Sequence, residues 1–312
     1  MNDLIIIGGG PAGVAAAIYA ARKRLSTVLI TKEVGGQSIV SDSIENWIGT
    51  TKLSGTELAK NLVAHLEAVK ADILELSIGE EVMALRKNMN TDGFVVEKKG
   101  GATHGGRAVL VASGAGRRKL EVPGATEFEN KGVTYCASCD GPLFADMDVA
   151  VVGGGNAGFE TALQLLAYAK SVTLIHRHKD FKADAVTVEK ARAHPNMRIL
   201  THVEPTEVVG GPAGGFVTGL RYQDKDSGEI HELAVTGIFV EAGVIPNTTF
   251  AEGLLTLDSV KRIVVDAKNQ RTNIEGVWAA GDCTDDLYHQ NNIAAGDGVK
   301  ALEDLYLWLK KR

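Results

Sequence analysis

Cysteine is almost missing from this sequence, with three in 312 residues. That excludes a secreted scaffold held by disulfides and fits a reducing compartment in which any disulfide is transient and catalytic. Aromatic residues make up only 5% of the chain, too few for the stacking platforms that hold single-stranded nucleic acid. The formal charge of -6 also argues against a nucleic-acid partner, because a phosphate-binding surface needs excess Lys and Arg. No apolar run reaches membrane-spanning length without a break. Residues 4–21 carry no charge, yet Gly8-Gly-Gly10-Pro11 interrupts them, so the segment reads as strand, loop, helix. Met1-Asn2-Asp3 lacks the basic flank of a signal peptide. A cytoplasmic protein with no membrane and no nucleic-acid partner is expected.

What the chain has in quantity is glycine, 36 residues of it, much of it in short clusters. The length, about twice that of a usual domain, predicts two domains, and the clusters show how they are related. Leu4–Ile7 is an apolar run followed by Gly8-Gly-Gly10-Pro-Ala-Gly13 and the helical stretch Val14–Ala21. Val149–Val152 is a second such run, followed by Gly153-Gly-Gly155-Asn-Ala-Gly158 and the helical stretch Phe159–Ala169. Each is a G-x-G-x-x-G between a strand and a helix, the context that gives the pattern meaning. The first glycine permits the tight turn, the second lets a pyrophosphate approach the backbone, and the third lets helix and strand pack closely. The helix N-terminus then offers free N–H groups and a partial positive charge to the phosphates. The fold class expected is α/β with two Rossmann-like dinucleotide-binding domains.

The residues at the end of the next strand select the dinucleotide. After the second motif, Val172–Ile175 runs into His176-Arg177-His178. With no carboxylate there for a ribose 2′-hydroxyl, the three suit a 2′-phosphate, hence NADPH rather than NADH; a solvated basic loop is the competing reading. After the first motif, Thr27–Ile30 leads to Thr31-Lys32-Glu33, and Glu33 is a candidate ribose partner. Two more buried strands end in glycine turns, Arg107–Val111 into Ala112-Ser113-Gly114, and Gly276–Ala280 into Gly281-Asp282-Cys283. Asp282 reads either as a cofactor-hydroxyl partner or as a plain turn residue. A helix is expected from about Asn292 to Trp308.

Pairing Gly8 with Asp282 brings the chain ends together, so the second unit is inserted into the first. The expected division is residues 1–116, 117–244 and 245–312, with the first and third parts forming one domain. Gly114–Gly132 and Glu241–Thr249 read as crossing segments, and hairpins are expected near Gly100-Gly101 and Gly210–Gly215.

Cys136-Ala-Ser-Cys139 can close a small disulfide or supply one edge of a metal site. Tetrahedral zinc needs two further ligands, and Cys283 is the remaining cysteine, far along the chain, so no metal is expected. Disulfide exchange needs one accessible thiolate and one resolving thiol, which this spacing supplies at a helix start. Asp140 follows and reads either as a proton shuttle to the departing thiolate or as a helix or turn cap.

The chain resembles the low-molecular-weight thioredoxin reductases nearly end to end. The matching segments are Gly8-Gly-Gly-Pro11-Ala12-Gly13, Gly35-Gly36-Gln37, Glu45-Asn46-Trp47, Cys136-Ala-Ser-Cys-Asp-Gly141, Gly153-Gly-Gly155-Asn156 and Ala280-Gly-Asp282. Gly132–Cys136 and Gly141–Phe144 are also similar to the flavoprotein subunit of alkyl hydroperoxide reductase. That relative carries an additional N-terminal disulfide domain, and because this chain starts at the flavin motif the thioredoxin reductase reading is preferred. The resemblance implies a homodimer, with FAD on the split domain and NADPH on the inserted one. The FAD set implied is Gly8, Gly10, Pro11, Ala12, Gly13, Gly36, Gln37, Asn46, Ala112, Gly114, Gly281, Asp282 and Gln290. The nicotinamide set is Gly153, Gly155, Asn156, Gly158, His176, Arg177 and His178. Electrons would pass from NADPH through FAD to the Cys136–Cys139 disulfide and on to thioredoxin, or to a thioredoxin-like or glutaredoxin-like protein. The resemblance gives Cys139 the place nearest the flavin and Cys136 the attack on the partner disulfide, with the two domains rotating between states.

The chain departs from the family at three places. His178 stands where the family has Arg, Gly158 where NADP-users more often have Ala, and His289 where Arg is common. Three alternatives keep the fold: a dithiol oxidase using oxygen, a reductase using NADH or another donor, and a flavin-bound redox sensor.

Overall fold

The computed structural model describes residues 1–312 apart from 42, 43, 90, 182, 213 and 214. The chain forms two compact units, Met1–Gly116 with Ile245–Arg312, and Arg117–Val244.

The first unit opens with β1 (Asn2–Gly9), α1 (Pro11–Arg22), β2 (Thr27–Val34), α2 (Gly55–Val69), β3 (Leu74–Ile78), β4 (Val82–Lys87), β5 (Phe94–Lys98) and β6 (Thr103–Val111). β3, β2, β1 and β6 lie side by side in parallel. Leu4 to Ile6 are fully buried, as expected of a strand covered on both faces, which reads as a continuous apolar run. The long strand β6 serves two pairings. Its first half pairs antiparallel with β5, so β4 and β5 form a hairpin arm. Gly100 and Gly101, both left-handed at φ 96 and 89, turn the chain between β5 and β6.

The chain passes through β7 (Ala115–Arg117) into the second unit: β8 (Val133–Thr134), α3 (Ala137–Asp140), β9 (Asp148–Val152), α4 (Asn156–Leu165), β10 (Ser171–His176), α5 (Ala185–Arg192), β11 (Met197–Thr201), β12 (Val203–Gly210), β13 (Val217–Asp224), β14 (Ile230–Leu233) and β15 (Gly237–Val240). Its parallel sheet has the order β11-β10-β9-β15-β8, and β12, β13 and β14 form an antiparallel sheet. β12 and β13 pair antiparallel on either side of the expected Gly210–Gly215 hairpin, of which residues 213 and 214 lie outside the described residues. α4 stops at Leu165 rather than continuing to Ala169. The next residues form turns, in which the Tyr168 carbonyl accepts from the Asp146 N–H at 3.0 Å.

The chain returns through β16 (Val244–Pro246) to β17 (Val277–Ala279) and α6 (Asn291–Lys310). β17 pairs parallel with the second half of β6. α1 and α6 bury Ala16, Ala17, Ala20, Leu302 and Leu305 in one cluster against the sheet. The two units therefore repeat one plan, a parallel sheet whose first strand lies between its second and fourth, with an antiparallel excursion before the fourth. This is an α/β fold with two Rossmann-like dinucleotide-binding domains. Among the described residues no helix is long and apolar enough to cross a membrane.

Candidate active site

At the crest of the first unit the three motif glycines have different environments. Gly8 is left-handed at φ +112, and a Cβ there would lie 2.1 Å from the Ala112 carbonyl oxygen. A Cβ on Gly13 would lie 1.9 Å from the Gly8 carbonyl oxygen, so helix and strand touch backbone to backbone. A Cβ on Gly10 would meet only the Gly36 Cα, at 3.9 Å. The middle glycine thus faces open space, a cradle that any side chain would fill. α1 begins here on Pro11 with no side-chain cap, which leaves the N–H groups of its first turn directed into the cradle. The residues present fit a pyrophosphate.

The loops around this cradle bring most of the sequence-predicted set to it. The Gly35 N–H donates to the Gly9 carbonyl at 2.9 Å, laying Gly36 against Gly10, and Gln37 is exposed one residue further on. Gly281, left-handed at φ +76, sits between Ala12 and Ala294, so the Gly281-Asp282 turn adjoins the start of α1. The Asn46 side-chain N–H donates to the Gln290 Oε1 at 3.3 Å, and Gln290 is the N-cap residue of α6. Asn292 donates in turn to the Asn46 carbonyl at 2.7 Å. Ala112 and Gly114 begin the loop beyond β6, where the Asn247 N–H donates to the Gly114 carbonyl at 3.0 Å. Glu33 is exposed in β2, three residues beyond the buried Ile30.

The second crest repeats the first. Gly153 is left-handed at φ +138, with a Cβ position 2.3 Å from the Glu241 carbonyl oxygen, and a Cβ on Gly158 would lie 2.0 Å from the Gly153 carbonyl oxygen. A Cβ on Gly155 would meet nothing within 4 Å. α4 also starts with no side-chain cap, and the Asn156 Oδ1 accepts from the Asp184 N–H at 2.8 Å. These residues fit a second pyrophosphate.

The three basic residues that follow β10 do not act as one group. His176 is buried, its ring stacked on Phe181 at 5.2 Å and its Nε2 3.0 Å from the Asp180 carbonyl oxygen. Arg177 is exposed, and its Nε donates to the His178 Nε2 at 3.2 Å. His176 is the last residue of β10, which is buried on both faces, whereas Arg177 lies just past the strand end and is exposed to solvent.

Cys136 and Cys139 form a disulfide, with Cα atoms 5.3 Å apart. Cys136 is the N-cap residue of α3, and its Sγ accepts from the Cys139 N–H at 3.2 Å. The Thr134 hydroxyl donates to the Asp140 carboxylate and accepts from the Cys136 N–H at 3.4 Å. Asp140 is thereby tied to the strand that precedes the dithiol, within one hydrogen-bonded chain that ends at the Cys136 backbone. The third cysteine is different in kind. Cys283 is fully buried, and burial pushes its thiol up to about 11, so it stays a protonated packing residue. Among the described residues no group of His, Cys, Asp and Glu could hold a metal ion.

Two residues in contact with these groups escape a reading by motif. Thr134 lies two residues before Cys136 and carries no pattern of its own. Glu241 follows β15 and occupies, in the second unit, the place that Ala112 holds in the first. The internal repeat is the signal that finds it.

The chain's relatives agree with this geometry. Residues 2–298 match the model of the pyridine nucleotide-disulphide oxidoreductase family. The F subunit of the alkyl hydroperoxide reductase of Pseudomonas putida is 44% identical over 299 residues, which is 96% of this chain and 56% of that protein. A protein named NADH dehydrogenase from Ferdinandcohnia aciditolerans is 39% identical over 299 residues, 96% of this chain and 56% of its own length. The chain thus spans little more than half the length of the curated relatives it matches. The crystal structure of thioredoxin reductase from Streptococcus pyogenes superposes with a TM-score of 0.90 at 33% identity, covering 100% of this chain and 99% of that one. The family uses FAD and a nicotinamide dinucleotide, and carries out redox chemistry on sulfur. A disulfide of CxxC spacing in a chain with two glycine-crested dinucleotide folds accords with that family, and this chain belongs to the pyridine nucleotide-disulphide oxidoreductases.

Proposed function

We propose that the chain is a disulfide reductase that carries electrons from NADPH to the disulfide of a thioredoxin-like protein. The observation that supports this best is the Cys136–Cys139 disulfide at the start of α3, in a chain with two open glycine cradles. In this reading Gly8, Gly10 and Gly13 hold the pyrophosphate of FAD, with Gly36, Asn46, Asp282 and Gln290 around it. Gly153, Gly155 and Gly158 hold NADPH, with Arg177 on its 2′-phosphate. Bound FAD supplies a two-electron carrier between the nicotinamide and the disulfide.

The protein's own part is the handling of sulfur and protons. Two electrons and two protons convert the Cys136–Cys139 disulfide to a dithiol. The Cys139 N–H, directed at the Cys136 Sγ, favours its thiolate. That thiolate attacks one sulfur of the partner disulfide and expels the other as a thiol. Cys139 then attacks the Cys136 Sγ, which restores the internal disulfide and releases the partner as a dithiol. Asp140, held by Thr134, takes and returns the proton of the departing sulfur. The protein acts as a cytoplasmic homodimer.

A second reading has a specific observation behind it. The 44% identity to the alkyl hydroperoxide reductase protein exceeds the 33% to thioredoxin reductase. In that reading the same dithiol passes electrons toward an alkyl hydroperoxide, through a dithiol carrier. Anaerobic titration of the yellow protein with NADPH and with NADH, followed by addition of thioredoxin, tests both. The first reading expects NADPH to bleach the flavin and thioredoxin to restore its colour. Bleaching by neither nicotinamide would remove it, and also leaves a dithiol oxidase or redox sensor as the better description. Cys136→Ser should keep bleaching by NADPH while turnover of the protein disulfide falls to background; surviving turnover would take the nucleophile's role from Cys136.

A further inference from the structure

The repeat superimposes two residues of opposite chemistry. Beyond β6, the Ala112 N–H donates to the Ile7 carbonyl at 2.7 Å, and its own carbonyl packs on Gly8. Beyond β15, the Glu241 N–H donates to the Val152 carbonyl at 2.8 Å, and its carbonyl packs on Gly153. The backbone is the same at both places, so the Glu241 side chain is not needed to build the turn.

That side chain is only 14% exposed. Its Oε1 accepts from the Thr161 hydroxyl at 2.8 Å and lies 3.8 Å from the Arg117 Nη1. Its Oε2 makes no hydrogen bond among the described residues. Burial pushes the carboxyl's pKa up, Arg117 and Thr161 draw it down, and the nearby Glu160 raises it. A largely buried carboxylate is costly to keep, its free oxygen is open to a ligand, and Ala112 shows that the fold manages without it.

The sheet order says which part of a ligand would reach Glu241. β9 carries the crest, with β10 on one side and β15 on the other. The adenosine half of a dinucleotide turns toward the strand that follows the motif helix, here β10 and Arg177. The pyrophosphate lies over the crest, so the other half extends toward β15.

We infer that Glu241 is a contact residue for the nicotinamide nucleoside half of the dinucleotide, its Oε2 accepting from a ribose hydroxyl or the carboxamide N–H. This rests on the reading that the second unit binds the nicotinamide dinucleotide. A hydrogen bond to a charged acceptor is worth enough for about a tenfold change in affinity.

Calorimetric titration of the FAD-loaded protein with NADP⁺ and with 2′,5′-ADP tests it without turnover. Glu241→Gln should weaken NADP⁺ binding about tenfold and leave 2′,5′-ADP unchanged. In the wild type, the ratio of the two affinities should fall as pH is lowered and Glu241 takes up a proton. The ratio cancels titration of the 2′-phosphate and of its surroundings, which the two ligands share. The fall should be absent in the variant. Should the variant not fold, the wild-type ratio alone decides, and a flat ratio overturns the inference. Wild-type binding of NADP⁺ with no loss in Glu241→Gln overturns it also. A wild type that binds neither ligand overturns the reading of the second unit, and the inference with it.

Discussion

The two crests have one backbone and two sets of side chains. At the first, Pro11 opens the helix, Gly36 lies against the middle glycine, and Ala112 closes the floor. At the second, Asn156 opens the helix and anchors the loop before α5, nothing lies against the middle glycine, and Glu241 closes the floor. Proline removes one N–H from the first helical turn, whereas Asn156 keeps it. At the end of the next strand, the first unit has an exposed Glu33 and the second an exposed Arg177. In the proposed reading a shared fold fixes where phosphates go, and a few side chains at the crest set which dinucleotide, and which half of it, is held.

The largest effects should come from the glycines that build the shared backbone. Gly8→Ala and Gly153→Ala each place a methyl in left-handed backbone, within 2.1 or 2.3 Å of a carbonyl oxygen. Each should cost about 3 kcal/mol or more of stability. Thermal unfolding should show a lowered Tm in both, and a Tm unchanged in either would break the equivalence of the crests. Gly10→Ala and Gly155→Ala sharpen it instead. Both positions have ordinary backbone, with φ -74 and -91, and both face open cradles. The ligand-free fold should keep its far-ultraviolet circular dichroism. Gly10→Ala should lose FAD, seen as loss of yellow colour, with affinity down about a hundredfold, or about 3 kcal/mol. Gly155→Ala should stay yellow and lose nicotinamide binding.

These contrasts also show what a sequence discloses. β1 and β9 were legible because strands buried on both faces read as unbroken apolar runs, and the crests because left-handed turns and backbone contact admit only glycine. Glu241 was not legible. It follows a strand with no motif, and its place depends on β15 pairing with β9 across the intervening sheet. His176 misled in another way. Three adjacent basic residues look like one cluster, yet the first is the last residue of the buried strand β10 and stacks on Phe181. The tie between Thr134 and Asp140 depends on the turn from β8 into α3, which spacing alone does not disclose.

Arg177→Ala addresses the side chains that differ at the ends of β2 and β10. A charge-assisted contact to a phosphate is worth about 1.5 to 3 kcal/mol. The Michaelis constant for NADPH should rise at least about tenfold, with little change for NADH. An equal change for both would remove Arg177 from the 2′-phosphate and with it the contrast to Glu33.

The smallest effect concerns the buried carboxyl of the first unit. Asp297 on α6 is 6% exposed, and its neighbour Gly298 packs on the Ala12 carbonyl. Its Oδ1 accepts from the Lys300 Nζ at 3.1 Å and from the Gln270 Nε2 at 3.4 Å. Burial pushes its pKa up; Lys300 and His289 draw it down, while Asp286 raises it. A carboxyl with a raised pKa in the folded state costs nothing below its unfolded value, where both states are protonated. The cost grows as pH rises from that value through the folded one, and is complete above it. Asp297→Asn removes this term, so its Tm should gain on the wild type as pH rises from about 4 to 7. Lys300 offsets much of the cost, which limits the gain to less than about 1 kcal/mol, or a few degrees. Nicotinamide binding should not change, because this carboxyl belongs to the first unit. A gain that instead shrinks with rising pH would show that Lys300 more than offsets the burial. Asp297 would then be a stabilising ion pair, and the likeness to Glu241 would end at burial.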